Sequence, residues 1–304
     1  MKTFAHRIAG APISWGICEA PGWGLQLPYE RVLDEMNELG VQATELGSYG
    51  WLPTETNELR AVLDAHSLQL VGGFVPLVLH DPAQHDAYID QALSVTNTLV
   101  AAGATHFITA VVSDPADWQR PELSDDDWEF LLESLTKVDK ITADFGLVQA
   151  VHPHVNTIIE TVDEVQRFLD GCEVKLCLDT GHLSIGGADP VAMANKYFDR
   201  IGLVHLKDVN MTIASQMQAG IYTLMTGTQA GLFPALGTGD VDIAAVVDIM
   251  ESRRYQSWYV IEQDAAITGE LPAIGSGPKL DVARSVEFLN SLATSVASDS
   301  TPVE

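Results

Sequence analysis

Short apolar runs alternate with longer stretches of helical period along the chain, and the alternation repeats eight times. The apolar runs fall at about residues 8 to 15, 41 to 46, 69 to 75, 105 to 112, 146 to 152, 174 to 179, 201 to 206 and 257 to 262. HFITAVV and VKLCLD are apolar on both faces, as parallel strands are when helices cover them outside and side chains fill the space inside. Between the runs, YERVLDEMNELG carries Val32, Leu33, Met36 and Leu39 on one face. DAYIDQALSVTNTLVAAG, WEFLLESLTKVDKITADFG, IAAVVDIMESRR and VARSVEFLNSLA have the same period. Gly40, Gly103 and Gly146 stand where a left-handed residue ends a helix, and Pro28 and Pro190 where a first helical turn accepts proline. Eight such units predict an α/β fold: a (β/α)8 TIM barrel forming a single domain over residues 1–304, in preference to an open doubly wound sheet.

Two stretches break the pattern. Residues 209–240, rich in Gly, Thr and Met, form a long excursion that predicts a lid or binding loop, with surface decoration as the plainer alternative. The tail at about 295–304 is small and polar, and reads as disordered.

Four apolar runs in the second half end on residues that bind metals: LVQAVHPH on His152 and His154, VKLCLDTGH on Asp179 and His182, GLVHLKD on His205, and WYVIEQD on Glu262. Titratable groups where a buried strand surfaces cost stability unless paired, and a divalent metal is the simplest shared partner. Alone, a strand-end His is more often a satisfied structural residue, and Asp179 before Thr180 and Gly181 could simply build a turn. Four at corresponding positions read as one site, because a barrel brings the carboxyl ends of its strands to one face. The predicted ligands are His152, Asp179, His205 and Glu262. Two imidazoles with two carboxylates suit Mn or Co foremost, with Zn, Fe, Ni or Mg as alternatives. His154 and His182 are placed toward substrate. Lys207 is expected to hold a hydroxyl or an enolate oxygen with Asp208 fixing it, a surface ion pair being the duller reading. In the first half, Trp15 and Phe74 are candidates for an apolar floor under a sugar ring, and Glu45 is a candidate substrate contact; core packing or a polar pair explains each equally well.

Composition bounds the functional classes. Against 16 Lys and Arg stand 42 Asp and Glu, a formal charge of −26, which repels nucleic acid and anionic membranes. The chain carries 3 cysteines without metal-knuckle spacing, so neither a disulfide framework nor a zinc knuckle is indicated. There is no run of about 18 apolar residues and no signal-peptide pattern. The expectation is a soluble cytoplasmic protein.

LDTGH, HLKD, the Glu of VIEQD and the opening APISWG resemble the xylose isomerase-like barrel superfamily of sugar isomerases and epimerases. APISWGICEAPGWG, ATELG followed by GWLP, VHPHVNT, KYFDRIGLVHLKDVN and GTGDVD are most similar to its inosose dehydratase branch, from about residue 8 to 290. The resemblance implies a divalent metal on His152, Asp179, His205 and Glu262, a small-molecule polyol ketone as substrate, and a dimer or tetramer. One departure matters. Many members have Glu where this chain has His152, and the epimerases use that Glu with the last one as an acid/base pair. Its loss favours elimination.

The expected activity is therefore a metal-dependent lyase that dehydrates a keto-cyclitol such as inosose. Glu262 would be ligand and base, His154 or His182 the acid, and Lys207 a further catalytic contact. The alternatives are a keto-sugar isomerase or epimerase and a 3-keto-glycoside β-eliminase; more remotely, a non-catalytic sugar-binding barrel.

Overall fold

The computed structural model describes residues 3–20, 22–116 and 118–299, with side chains to residue 293. Its nine parallel strands are β1 (Ile8–Gly10), β2 (Ala43–Thr44), β3 (Gln69–Leu70), β4 (Phe74–Leu77), β5 (His106–Val111), β6 (Val148–Val151), β7 (Lys175–Asp179), β8 (Ile201–Leu206) and β9 (Tyr259–Ile261). They form one sheet in the order β3-β2-β1-β9-β8-β7-β6-β5-β4. β3 and β4, at its two ends, are halves of the third predicted strand, and the residues between them close the ring. The Val71 N–H donates to Thr44 on the β2 side, while His106 and Ile108 of β5 donate to Val71 and Gly73. A glycine is needed at this seam, because a Cβ on Gly72 would lie 2.4 Å from the His106 carbonyl oxygen. The predicted barrel thus forms, its third strand split at Val71–Gly73.

The helices are α1 (Tyr29–Glu38), α2 (Thr56–Ala65), α3 (His85–Ala101), α4 (Asp125–Asp144), α5 (Val162–Gly171), α6 (Thr180–Ile185), α7 (Pro190–Lys196), α8 (Met211–Gln218), α9 (Leu224–Gln229), α10 (Ile243–Ser252) and α11 (Pro278–Asp299). Gly40, Gly103 and Gly146 take the expected positive φ after α1, α3 and α4. Side chains such as Val32, Leu33 and Met36 join the main core between helices and barrel, whereas Ala9, Ala43, Ala150, Cys177 and Val260 fill the barrel. Their small size leaves room for polar side chains above them. Among the described residues no helix is long and apolar enough to cross a membrane.

Three expectations change. The first run is a strand only over Ile8–Gly10, then a 3-10 turn over Pro12–Trp15. The excursion is not bare loop, since it carries α8 and α9 and buries Ala214, Leu232 and Phe233 in its own small core with Val155 and Ile185. Helix α11 continues to Asp299 into the stretch read as disordered, and residues 300–304 lie outside the described residues.

His106 opens β5 at the amino-terminal end of the barrel, 4% exposed, among the Gly202 carbonyl and the hydroxyls of Thr105 and Ser257. Burial pulls its imidazole down to about 4. The unfolded chain therefore takes up a proton near the ordinary value of 6.5, before the folded one does. Stability attributable to His106 is complete above that pH and is lost as pH falls toward 4, by on the order of 3 kcal/mol. In urea unfolding, His106→Gln should lose less stability than the parent between pH 6.5 and 4.5; equal slopes would refute this.

Candidate metal centre and active-site cavity

Neighbouring strands deliver the four predicted ligands. His152 follows β6 and keeps its pairing through an N–H bond of 2.8 Å to Thr109. Asp179 ends β7 in register with His205 of β8, and Glu262 follows β9, bonded through its N–H to Leu206 at 3.0 Å. All four are buried, with ligand atoms within 4.8 Å of one another. Divalent ions of this class bind such atoms at about 2.1 Å, placing opposite ligands roughly 4 Å apart. His205 contacts Glu262 Oε2 through Nδ1, while its Nε2 lies 2.8 Å from Glu45 Oε1. His152 Nε2 lies 3.3 Å from Asp179 Oδ2, and its buried Nδ1 has no hydrogen-bond partner among the described residues. Asp179 Oδ1 also accepts the His182 N–H at 2.7 Å, capping α6.

The charge balance is uneven. Glu45, Asp179, Glu262 and Asp264 are buried carboxylates, and Lys207 supplies the buried ammonium among them. Its Nζ lies 2.7 Å from Asp264 Oδ1 and 3.4 Å from Glu262 Oε1. Burial alone would favour the neutral amine, but Asp264, Glu262 and Asp179 raise its pKa, so Lys207 stays a cation. Glu262 stays ionised for the complementary reason: Lys207 and His205 overcome burial and hold it well below the usual carboxylate range. Burial pushes Asp264 up to about 6 against the pull of Lys207. Lys207, together with His205, whose pKa Glu262 and Glu45 help raise well above its ordinary value against burial, offsets only part of the negative charge of these four residues. The cluster's two nitrogen and two oxygen donors fit a divalent transition metal.

Burial, then neighbouring positive groups, keep both additional histidines neutral. His154 is lowered to about 3 and His182 falls well below its ordinary value. His154 donates from Nδ1 to the Val155 carbonyl at 2.7 Å, which leaves Nε2 as an acceptor. His182 Nε2 accepts from Lys207 at 3.0 Å.

A cavity of about 730 Å³ opens over the cluster, with Glu45, His154, Glu262 and Asp264 on its inner wall. His182 and Lys207, predicted to touch substrate, lie behind that wall. Phe74 lines the cavity as expected, edge-on to His152 with centroids 5.6 Å apart. Trp15 does not: the 3-10 turn sends it into the core, where it is fully buried and donates to Glu35 of α1 at 2.9 Å. Asp208 does not pair with Lys207 either. Its carboxylate accepts N–H bonds of 2.8 to 3.1 Å from Val209, Gly237, Gly239 and Val241, tying together the two ends of the excursion. From that base Thr223, Leu224 and Met225 reach the cavity rim.

Sequence reasoning missed Asp264 and Trp118. Asp264 lies two positions past Glu262 and so on the same side of an extended chain, the spacing that singled out His154 after His152. Trp118 belongs to the loop after β5, stacks on Phe74 with centroids 5.9 Å apart, and had no signal beyond being an aromatic residue in a strand-end loop.

A family model described as xylose isomerase-like TIM barrel matches residues 19–292. The chain belongs to this family. The rhizopine catabolism protein MocC of Rhizobium meliloti is 32% identical over 268 residues, 85% of this chain and 81% of that protein. The inosose dehydratase of Geobacillus kaustophilus is 30% identical over 275 residues, 86% and 89% of the two chains. Most of the curated relatives carry the latter name. Two solved structures share the fold at 15% identity. The probable 3-DHS dehydratase AsbF of Bacillus anthracis aligns with a TM-score of 0.68 over 93% of this chain and 98% of its own. The 3-keto-D-glucoside 4-epimerase of E. coli aligns at 0.65 over 95% and 100%.

Two variants test this geometry. Asp179→Asn keeps an oxygen to cap α6 but removes the charge. It should bind Mn or Co at least tenfold more weakly in equilibrium dialysis while the apo fold persists; parental affinity would remove Asp179 from the ligand set. Asp208→Ala strips four N–H groups of their acceptor, a loss of about 2 to 4 kcal/mol. Limited proteolysis should then cut within residues 209–240 at least tenfold faster, and an unchanged rate would show that the carboxylate does not hold the excursion.

Proposed function

We propose that this xylose isomerase-like barrel is a metal-dependent dehydratase acting on a keto-cyclitol such as inosose. The observation that carries the reading is the buried cluster of His152, Asp179, His205 and Glu262 beneath a cavity of substrate size, in a chain whose relatives are mostly named inosose dehydratase. Those four residues would hold the divalent metal, which when bound supplies a Lewis acid toward the ketone oxygen.

Glu262 faces the cavity as a carboxylate and takes the proton from the carbon next to the ketone. Asp264, also facing the cavity with the Lys207 ammonium 2.7 Å behind it, delivers a proton to the departing hydroxyl. This replaces the acid role expected of His154 or His182. His154 is neutral, and its one N–H is already given to Val155; its free Nε2 suits it to accept a hydrogen bond from a substrate hydroxyl. Glu45 holds His205 through Nε2, fixing the ring as a carboxylate behind a ligand histidine does. Phe74 offers its face to the C–H side of the ring. An epimerase needs a second base opposite Glu262. Glu45 also faces the cavity, but it is engaged by His205 and so is not free for that role.

The test is incubation of the Mn- or Co-loaded protein with inosose, followed by mass analysis. The expected product is lighter by one water. A product isomeric with the substrate would overturn the dehydratase reading in favour of epimerisation. Glu262→Gln should lower kcat by about 10² to 10⁴-fold, and Asp264→Asn should lower it with metal content unchanged.

A further inference from the structure

The barrel interior beneath the metal cluster contains a sulfur atom. Ala9, Ala43, Ala150 and Val260 contribute only hydrocarbon to that layer, whereas Cys177 of β7, fully buried, brings a soft metal donor into it. Side chains two positions apart on a strand share a face, so Cys177 points to the same side as Asp179 and lies about 7 Å nearer the amino end of the barrel. It stands under the predicted ligands.

A buried cysteine by itself behaves as a small apolar residue. Two features set this one apart. Cys177 Sγ and one ring nitrogen each of His152 and His205 lie within 4.8 Å of one another, and all three residues are buried. The second feature is the His152 Nδ1, which has no hydrogen-bond partner among the described residues although its side chain is fully buried. A polar atom left so costs stability, and a bound ion removes that cost. Zinc binds thiolate at about 2.3 Å and imidazole at about 2.0 to 2.1 Å, which sets three such donors roughly 3.5 Å apart around one ion. That spacing fits inside the span of the three donors here.

We propose that the barrel has a second metal position, one layer below the first, in which a thiophilic divalent cation such as zinc is held by His152, Cys177 and His205. The two positions differ in ligand chemistry. Two carboxylates suit the upper one to Mn, and a thiolate suits the lower one to zinc. They share both histidines, so a chain holds an ion in one position or the other. Zinc entry breaks the S–H bond of Cys177, forms a bond from sulfur to zinc and releases the proton to water. An ion in the lower position is drawn away from Glu262 and from the cavity above. On the reading of the upper centre given above, zinc thus displaces the working ion instead of substituting for it.

X-ray absorption at the zinc edge, on the full chain loaded with one equivalent of zinc, tests this without any substitution. One sulfur at about 2.3 Å is expected beside nitrogen at about 2.0 to 2.1 Å. A shell of nitrogen and oxygen alone would overturn the lower position and leave the upper centre standing. Cys177→Ser and Cys177→Ala should bind zinc at least tenfold more weakly in equilibrium dialysis and Mn within about twofold of the parent; an equal loss for both metals would make Cys177 a packing residue and end the proposal. Adding zinc to the Mn-loaded protein should release Mn, seen as the free-ion electron paramagnetic resonance signal, with total metal held at one ion per chain. Two ions per chain would overturn the exclusion. A sulfur shell that survives Asp179→Asn, with Mn affinity unchanged in that variant, would sink the upper centre and keep the lower one. Failure to bind either metal would overturn both.

Discussion

Four carboxylates buried around one ammonium set the terms for everything at the carboxyl end of this barrel. Glu45, Asp179, Glu262 and Asp264 repel one another where little water screens them, and Lys207 compensates only part of their charge. The shortage is met in two ways. His205 bridges Glu262 and Glu45, and the ligand-type atoms converge within a span that one divalent cation fills. A fold that keeps such a cluster gives up stability at that end and holds a charged, water-poor site in return.

The rest of the barrel serves that geometry. Small side chains at Ala9, Ala43, Ala150 and Cys177 fill its middle without reaching the top, which leaves room for the polar layer. Adjacent strands β6 to β9 carry the candidate ligands, so their spacing follows from the sheet rather than from loops. Loops contribute the cavity walls instead, and the longest of them is tied at its base by the Asp208 carboxylate. Rigid strands for the reacting end and adaptable loops for substrate shape are the division of labour that lets one barrel architecture serve many chemistries.

The cavity combines polar and aromatic lining residues. His154, Glu45, Glu262 and Asp264 offer directional partners, and the stacked rings of Phe74 and Trp118 offer area. Neutrality of His154 and His182 follows from burial and from positive neighbours, and it changes which residues can move a proton. In the proposed reaction the acid is therefore Asp264, backed by Lys207.

The repeat of apolar runs determined the barrel, because parallel strands buried on both faces leave an apolar signature whatever their neighbours. It also singled out His152, Asp179, His205 and Glu262 at the strand ends, which the fold brings within 4.8 Å of one another. Trp15 was misread, because whether the backbone stays extended past Gly10 depends on contacts with α1 that periodicity does not encode. The partner of Lys207 was misassigned for a similar reason. Asp208 is its chain neighbour, but the tertiary fold turns that carboxylate toward four backbone amides and brings Asp264 to the ammonium. In the second half of the chain the sequence alone settled which residues stand at the strand ends, since local pattern fixes strand and face there. Pairings across strands, the protonation states that follow, and the aromatic wall were left to the tertiary structure, because they depend on distances between segments far apart in the chain.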